Sequence, residues 1–260
     1  RFLTAALPLG RGTYRLDGVP RMRQRPIGPL LQAMRDLGAD VESELGTGCP
    51  PVVVRANGLP GGRTRMAGDE SSQFFTALLL SGPYAANGVE IEVLGDLVSK
   101  PYLPMTAAVM AAFGVTAEID EVNWRTLAVR PGQRYRGRAY RIEPDASSAS
   151  YFFAAAAVTG GRVRLEGLGS TSTQGDLRFI DVLAAMGAEV REEKDAVEVI
   201  GPTGGRLRGG EFDMAHISDT AQTLAAITVR KQRLRELETE LRQLREALVR
   251  FEAICHARVG

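Results

Sequence analysis

Apolar residues in this chain recur in short blocks, each entered through a polar, hydroxyl-rich turn. Asp145-Ala146-Ser147-Ser148-Ala149-Ser150 runs straight into Tyr151-Phe152-Phe153-Ala154-Ala155-Ala156-Ala157. Ser71-Ser72-Gln73 leads in the same way into Phe74-Phe75-Thr76-Ala77-Leu78-Leu79-Leu80, and Ser218-Asp219-Thr220 into Ala221-Gln222-Thr223-Leu224. Side-chain oxygens ahead of an apolar run can cap free backbone N–H groups, so each block predicts a helix start. Phe2-Leu3-Thr4-Ala5-Ala6-Leu7 looks like a further copy without its polar turn. Aligning Phe2, Phe74, Phe152 and Thr223 gives spacings of 72, 78 and 71, an internal repeat near 75 residues.

A second helix pattern has the same period. Leu30 to Val41, Met105 to Val115 and Phe179 to Val190 are helical runs broken at Gly38, Gly114 and Gly187, which are 76 and 73 apart. Glycine just past a helix suits a left-handed cap. Valine-rich strands should follow at Val52 to Arg55, Thr126 to Arg130 and Ala196 to Ile200, with others at Val89 to Val93 and Arg162 to Glu166. Each unit then has two helices and three or four short strands. Such units must pack together to bury their faces, which predicts an α/β fold.

Composition narrows the class. The 260 residues are 44% hydrophobic with a formal net charge of +1, enough for one large or two medium domains and without a broad basic face for nucleic acid. No apolar run approaches the roughly 18 residues of a membrane span. Cys49 and Cys255 form no metal or disulfide pattern, and His216 and His256 are too scattered for a zinc site. A reducing compartment is expected: the cytoplasm, or a plastid if a transit segment is missing ahead of Arg1.

Ordered motifs resemble the 5-enolpyruvylshikimate-3-phosphate (EPSP) synthase family from Arg1 to about Ile227. They include Arg1-Phe2-Leu3-Thr4-Ala5-Ala6, Leu16-Asp17-Gly18-Val19-Pro20-Arg21-Met22, Arg25-Pro26-Ile27-Gly28 and Gly48-Cys49-Pro50-Pro51-Val52. Ser71-Ser72-Gln73-Phe74, Ser99-Lys100-Pro101-Tyr102, Asp145 to Phe152, Gln174-Gly175-Asp176 and His216-Ile217-Ser218-Asp219 continue the series. The resemblance implies repeated βαβαββ units of the enolpyruvyl transferase fold, inverted α/β barrel-like, with the active site in a cleft between two domains. It also implies transfer of the enolpyruvyl group from phosphoenolpyruvate to the 5-hydroxyl of shikimate 3-phosphate, with release of phosphate and with no cofactor.

Both substrates are polyanions, and the residues carrying the resemblance suit them. Ser71, Ser72 and Gln73 stand where a helix begins, so hydroxyls, an amide and free N–H groups can converge on an anion; simple N-capping is the plainer reading. The resemblance assigns these three, with Ser99 and Tyr102, to shikimate 3-phosphate, and Arg25 to phosphoenolpyruvate. A guanidinium can hold phosphate through two parallel hydrogen bonds. Arg23 reads as a solvated basic residue, and Asp145 as mainly a helix cap. Asp219 is implied as the general base that accepts the hydroxyl proton, although its neighbours Ser218 and Thr220 differ from the family's proline and alanine.

The departures lie at the ends. Nothing here matches the family's early Lys-Ser segment, its Asn-Ala-Gly-Thr-Ala-Met block or its Arg-x-Lys-Glu-x-Asp-Arg block. The expected organisation is 1–140 as a two-unit remnant of the substrate-binding domain, 141–228 as one full unit of the second domain, and 229–260 as a charged heptad helix unlike the family. Leu234, Leu237, Leu241, Leu244, Leu248, Phe251 and Cys255 alternate at 3 and 4, and Glu238–Arg242 and Glu246–Arg250 add i,i+4 pairs. A long helix from about Asp219 to Ala257 is expected, packed on its own domain or self-associating through 229–260. Three functional readings stay open: an enolpyruvyl transferase for shikimate 3-phosphate, inactive as an isolated chain; a remnant used as an assembly module; and a transferase for a UDP-sugar acceptor. No membrane partner is expected.

Overall fold

The computed structural model describes residues 1–228 together with 239, 240, 242 and 243. The expected heptad helix and its self-association fall on 229–260, mostly outside the described residues. Among the described residues, no helix is long and apolar enough to cross a membrane. Two compact units are formed: Arg1–Ile142 with Thr173–Gly175, and Glu143–Ser172 with Asp176–Gly260.

In the first unit, α1 (Phe2–Ala6) leads to β1 (Arg11–Leu16), α2 (Gly28–Asp36), β2 (Asp40–Ser43) and β3 (Val52–Asn57). There follow β4 (Gly62–Ala67), α3 (Ser72–Ser81), β5 (Val89–Leu94), α4 (Tyr102–Ala112), β6 (Ala117–Ile119) and β7 (Thr126–Val129). In the second unit, α5 (Ala146–Thr159) precedes β8 (Arg162–Glu166), α6 (Phe179–Ala185), β9 (Glu189–Glu192) and β10 (Ala196–Ile200). A 3₁₀ turn at Ser218–Thr220 then opens a helical run over 221–228. Each unit has its own core. Leu30, Met34, Phe74, Phe75, Leu78 and Ile91 are buried in the first, and Phe153, Phe179, Leu183 and Val199 in the second.

The glycine caps repeat bond for bond. Gly38, Gly114 and Gly187 adopt φ of 86, 85 and 104°. Their N–H groups donate to the carbonyls of Arg35, Ala111 and Ala184, and the next residues' N–H groups reach back to Met34, Met110 and Leu183. This paired closure is the Schellman arrangement, which needs a left-handed residue and so favours glycine. The turn delivers the chain into the strand that pairs with the last strand of the unit.

The sheets run β1-β3-β2, β4-β5-β7-β6 and β8-β10-β9. Three inward-facing residues recur in register across them: Tyr14–Val54–Val41, Val89–Val129–Ala117 and Val163–Val199–Val190. Among the described residues, only the middle sheet has a fourth strand, β4, paired parallel to β5 with Gly62 opposite Val89. Only this βαβαββ unit is complete among the described residues. Val89 is buried, whereas Tyr14 and Val163, on strands whose outer edges lack that neighbour, are half-buried.

The sheet after residue 141 has three strands, within the three or four expected of a unit, and among the described residues no strand lies between β7 and α5. The stretch ahead of it is tied instead to the end of α4. Arg136 N–H donates to the Phe113 carbonyl at 2.8 Å, the Arg138 guanidinium donates to the Ala112 carbonyl at 2.9 Å, and the Tyr140 ring lies 5.3 Å from that of Phe113. One expectation needs correction, because the residue alignment slips. Phe74 is buried, but its expected counterpart Phe152 is 58% exposed and Phe153 fills the core instead. Counted from the N-caps Ser71 and Asp145, the repeat is 74 residues rather than 78 here, so the paired phenylalanines differ by one helical turn.

Candidate functional site

α3 begins without the cap that its sequence promises. Ser71 occupies the N-cap position with extended backbone, yet its side chain makes no cap hydrogen bond. Its hydroxyl accepts instead from the Arg1 guanidinium at 2.7 Å, and the same nitrogen donates to Gln73 Oε1 at 3.0 Å. The guanidinium also lies 4.7 Å from the centroid of the Phe74 ring. By contrast, Asp145 caps α5 as expected, accepting from Ser147 N–H at 3.1 Å and from the Ser148 hydroxyl at 2.6 Å. Plain capping therefore accounts for Asp145 and not for Ser71. Ser72 is buried in the first turn of α3, and Gln73 is exposed beside it.

Arg25 brings a second guanidinium to this corner. It follows a short 3₁₀ turn, Met22–Gln24, and is exposed. Nearby arginines are committed elsewhere: Arg15 pairs with Glu44 and Asp17, and Arg23 grips both oxygens of Asp17. Arg23 is thus a strut of the loop, which adds a role to its reading as a solvated charge. The bonds from Arg23 and the Gly18 N–H hold the Asp17 carboxyl at about 2. For Arg25, the contact found among the described side chains is the Met22 sulfur at 4.0 Å.

Burial lowers the Arg1 pKa, and the like charge of Arg25 lowers it further, with Glu70 acting in the opposite sense. Two cations held near each other favour an anion between them. Sequence reading placed Arg1 in a matching block without giving it a role. Its partners are 70 and 72 residues away, so only tertiary structure could reveal the convergence.

The second turn, Ser99 to Tyr102, comes to the same end of the helix pair. Thr76 and Thr106 share a hydrogen bond of 2.9 Å, and each stands four residues beyond the first residue of its helix, Ser72 in α3 and Tyr102 in α4. Four residues of helix rise about 6 Å, so the tie holds the two starting turns near one another. Thr106 also donates to the Tyr102 carbonyl at 2.7 Å. Ser99 has a left-handed backbone, with φ of 54°. Ser71, Ser72, Gln73, Ser99, Tyr102 and Arg25 all belong to the first unit.

Asp219 belongs to the second unit, exposed in the Ser218–Thr220 turn ahead of the helical run. That turn is tied down by buried hydroxyls. Thr220 donates to the Ile217 carbonyl at 2.8 Å, and Thr223 shares a 2.9 Å hydrogen bond with Ser150 of α5. Sequence reading gave no role to Asp176, which is buried and accepts from the Ser147 hydroxyl at 2.5 Å. Burial pushes the Asp176 carboxyl up; the Ser147 bond opposes this, and the charges of Asp219 and Asp145 add to it. Three carboxylates therefore gather at the start of α5. Among the described residues, no group of three or more His, Cys, Asp or Glu is arranged to hold a metal ion.

Comparisons with known proteins give this geometry its context. The family model for EPSP synthase (3-phosphoshikimate 1-carboxyvinyltransferase) matches residues 1–249, past the point near Ile227 where the motif resemblance ends. The chloroplastic 3-phosphoshikimate 1-carboxyvinyltransferase of Brassica napus is 49% identical over 239 residues, covering 88% of this chain and 46% of the relative. The 3-phosphoshikimate 1-carboxyvinyltransferase of Trichormus variabilis is 44% identical over 261 residues, covering 94% of this chain and 60% of the relative. The chain thus spans about half the length of these curated relatives. An EPSP synthase structure from Acinetobacter baumannii has the same fold, with a TM-score of 0.66 and 22% identity over 84% of this chain and 50% of that one. The motifs, the repeated fold and a family match over nearly the whole sequence agree: the chain belongs to the EPSP synthase family.

Proposed function

We propose that the chain supplies the shikimate 3-phosphate cradle and the catalytic base of an enolpyruvyl transferase. Ser71, Ser72, Gln73, Ser99 and Tyr102 hold shikimate 3-phosphate, Arg25 holds phosphoenolpyruvate, and Asp219 takes the proton of the 5-hydroxyl as its oxygen bonds to the enol carbon. As that bond forms, the double bond takes up a proton at the methylene carbon from the family's general acid, whose Arg-x-Lys-Glu-x-Asp-Arg block has no match in this chain. Loss of a proton from the resulting methyl group then restores the double bond as the carbon–oxygen bond to phosphate breaks. The observation that carries this reading is the start of α3, where a helix N-terminus lacks a side-chain cap and Arg1 engages Ser71 and Gln73. An anion there meets backbone N–H groups, hydroxyls and a guanidinium together.

Family membership favours shikimate 3-phosphate over a UDP-sugar as the acceptor. Several donors on one unit are expected to retain weak affinity without the remaining half of the enzyme. Calorimetry at low salt tests this, with Gln73→Ala as the comparison. Removing a hydrogen bond to a charged ligand costs about 1.5–3 kcal/mol, so the variant should bind at least tenfold more weakly. Equal heats for the two proteins would remove this cradle.

A further inference from the structure

Two residues other than glycine have positive φ among the described residues, and the side chain of Lys100, next to the first of them, reaches the ring of the second. Ser99 has φ of 54° and Trp124 has φ of 58°. For a bulky residue such as tryptophan the left-handed region is a genuine outlier, held only where the surroundings over-determine it. The surroundings here are on the page. The Trp124 N–H donates to the Asp120 carbonyl at 2.8 Å, while Asp120 Oδ1 accepts from the N–H groups of Val122 at 3.2 Å and Asn123 at 3.0 Å. Arg125 next to it donates to the Gly95 carbonyl at 2.6 Å, and its own carbonyl accepts from Val93 N–H at 2.9 Å. The 120–125 loop is therefore stitched to the end of β5, from which the chain enters the Ser99 turn.

Contact is completed by Lys100. Its ammonium lies 5.6 Å from the centroid of the half-buried Trp124 ring, within the range of cation–π attraction. Lys100 sits between Ser99 and the start of α4, and its carbonyl accepts from Leu103 N–H at 3.1 Å, while that of Ser99 accepts from Tyr102 N–H at 3.3 Å. Holding Lys100 by its side chain holds both residues proposed to touch ligand on this turn.

We propose that Trp124, fixed by Asp120 and facing Lys100, is a positioning residue that keeps the Ser99–Tyr102 turn in its left-handed, ligand-ready form. The ring touches no ligand; it stores the cost of the strained turn in advance, so binding need not meet it. This inference rests on the reading of Ser99 and Tyr102 as shikimate 3-phosphate contacts.

The test uses the full chain and the variants Trp124→Ala, Trp124→Phe and Lys100→Met. Phenylalanine keeps a ring, and methionine keeps the stem without the charge, which guards against loss of fold in the alanine variant. Amide hydrogen exchange at Tyr102 and Leu103 reads the turn, and calorimetry with shikimate 3-phosphate reads binding. Exchange about tenfold faster in Trp124→Ala, smaller effects in the other two and affinity weakened about tenfold are expected, in keeping with the usual cost of one strained residue. Unchanged exchange in all three variants overturns the proposal, as does faster exchange with unchanged affinity. If the wild-type chain itself takes up no shikimate 3-phosphate, the ligand reading fails and the positioning role fails with it; the exchange data still show separately whether Trp124 holds the turn.

Discussion

Phe152 and Phe153 are adjacent in sequence and opposite in environment: the first is 58% exposed and the second 1%. Phe153→Ala should cost about 3–5 kcal/mol, the usual result of emptying a buried aromatic site, whereas Phe152→Ala should cost well under about 1.5 kcal/mol. Urea unfolding of the two variants decides the matter, and comparable losses would mean that the helix is rotated from the register described. At Asp17 the expectation concerns pH. Its folded carboxyl titrates at about 2 because Arg23 and the Gly18 N–H bind the charged form, against 3.8 for the free group. A depressed folded pKa contributes stability that is complete above the free value and disappears as pH falls through the folded one. The stability gap between wild type and Asp17→Asn should therefore close between about pH 4 and pH 2. Asp176 has the opposite sign: its raised pKa makes its burial costly at neutral pH, and acid relieves that cost. A gap for Asp17→Asn that widened on acidification would show that Arg23 does not hold this carboxylate.

At the level of elements, the three Schellman turns and the three strand triplets argue that one local design is used repeatedly. A Cβ at Gly38 would come within 2.7 Å of the Pro60 ring, while at Gly114 the nearest atom is the Arg136 side chain at 3.6 Å. Both glycines have left-handed φ, so alanine is strained at either site. Gly114→Ala should lower stability by about 1 kcal/mol from backbone strain alone, and Gly38→Ala by more, because it adds a clash. Thermal unfolding of the pair distinguishes the two contributions. An equal loss would mean that Pro60 yields freely. The capping elements were readable in advance because a cap is a local event. Asp145 and the three glycines act within six residues of themselves, and their chemistry is visible in any short window. Ser71 fits the same local rule and departs from it, because a distant arginine occupies its hydroxyl.

For the whole molecule, the decisive fact is coverage. The chain spans 46% of the Brassica napus relative and 60% of the Trichormus variabilis relative. The proposed base, Asp219, lies in one unit and the proposed anion cradle in the other. Losing one positioned acid or base commonly costs about 10²–10⁴-fold in rate, and the family's acid-bearing block has no match here. Phosphate release from phosphoenolpyruvate and shikimate 3-phosphate should therefore be undetectable with the purified chain and should appear only when the remaining half of a relative is supplied as a second polypeptide. A coupled phosphate assay measures this. Robust turnover by the chain alone, abolished in Asp219→Ala, would show that the missing blocks are not needed.

The amino-acid sequence by itself determined the repeat near 75 residues, the strands β3, β5, β7, β8 and β10, and the turns at which helices begin and end, whereas β1, β2, β4, β6 and β9 emerged only in the structure. Hydrophobic spacing, capping oxygens and glycines act over a few residues, and so do the motifs that carry the family resemblance. Only the tertiary structure decided which of two phenylalanines enters the core, because that depends on how a whole helix is rotated against its neighbours. It also decided that the stretch before α5 is tied to α4 rather than added to β8 as a strand, since Phe113 and Ala112 offer it carbonyls and a ring. The corner where Arg1 meets Ser71 and the contact of Lys100 with Trp124 join residues 70 and 24 positions apart. Such contacts form only after distant segments pack, and no local pattern along the chain encodes them.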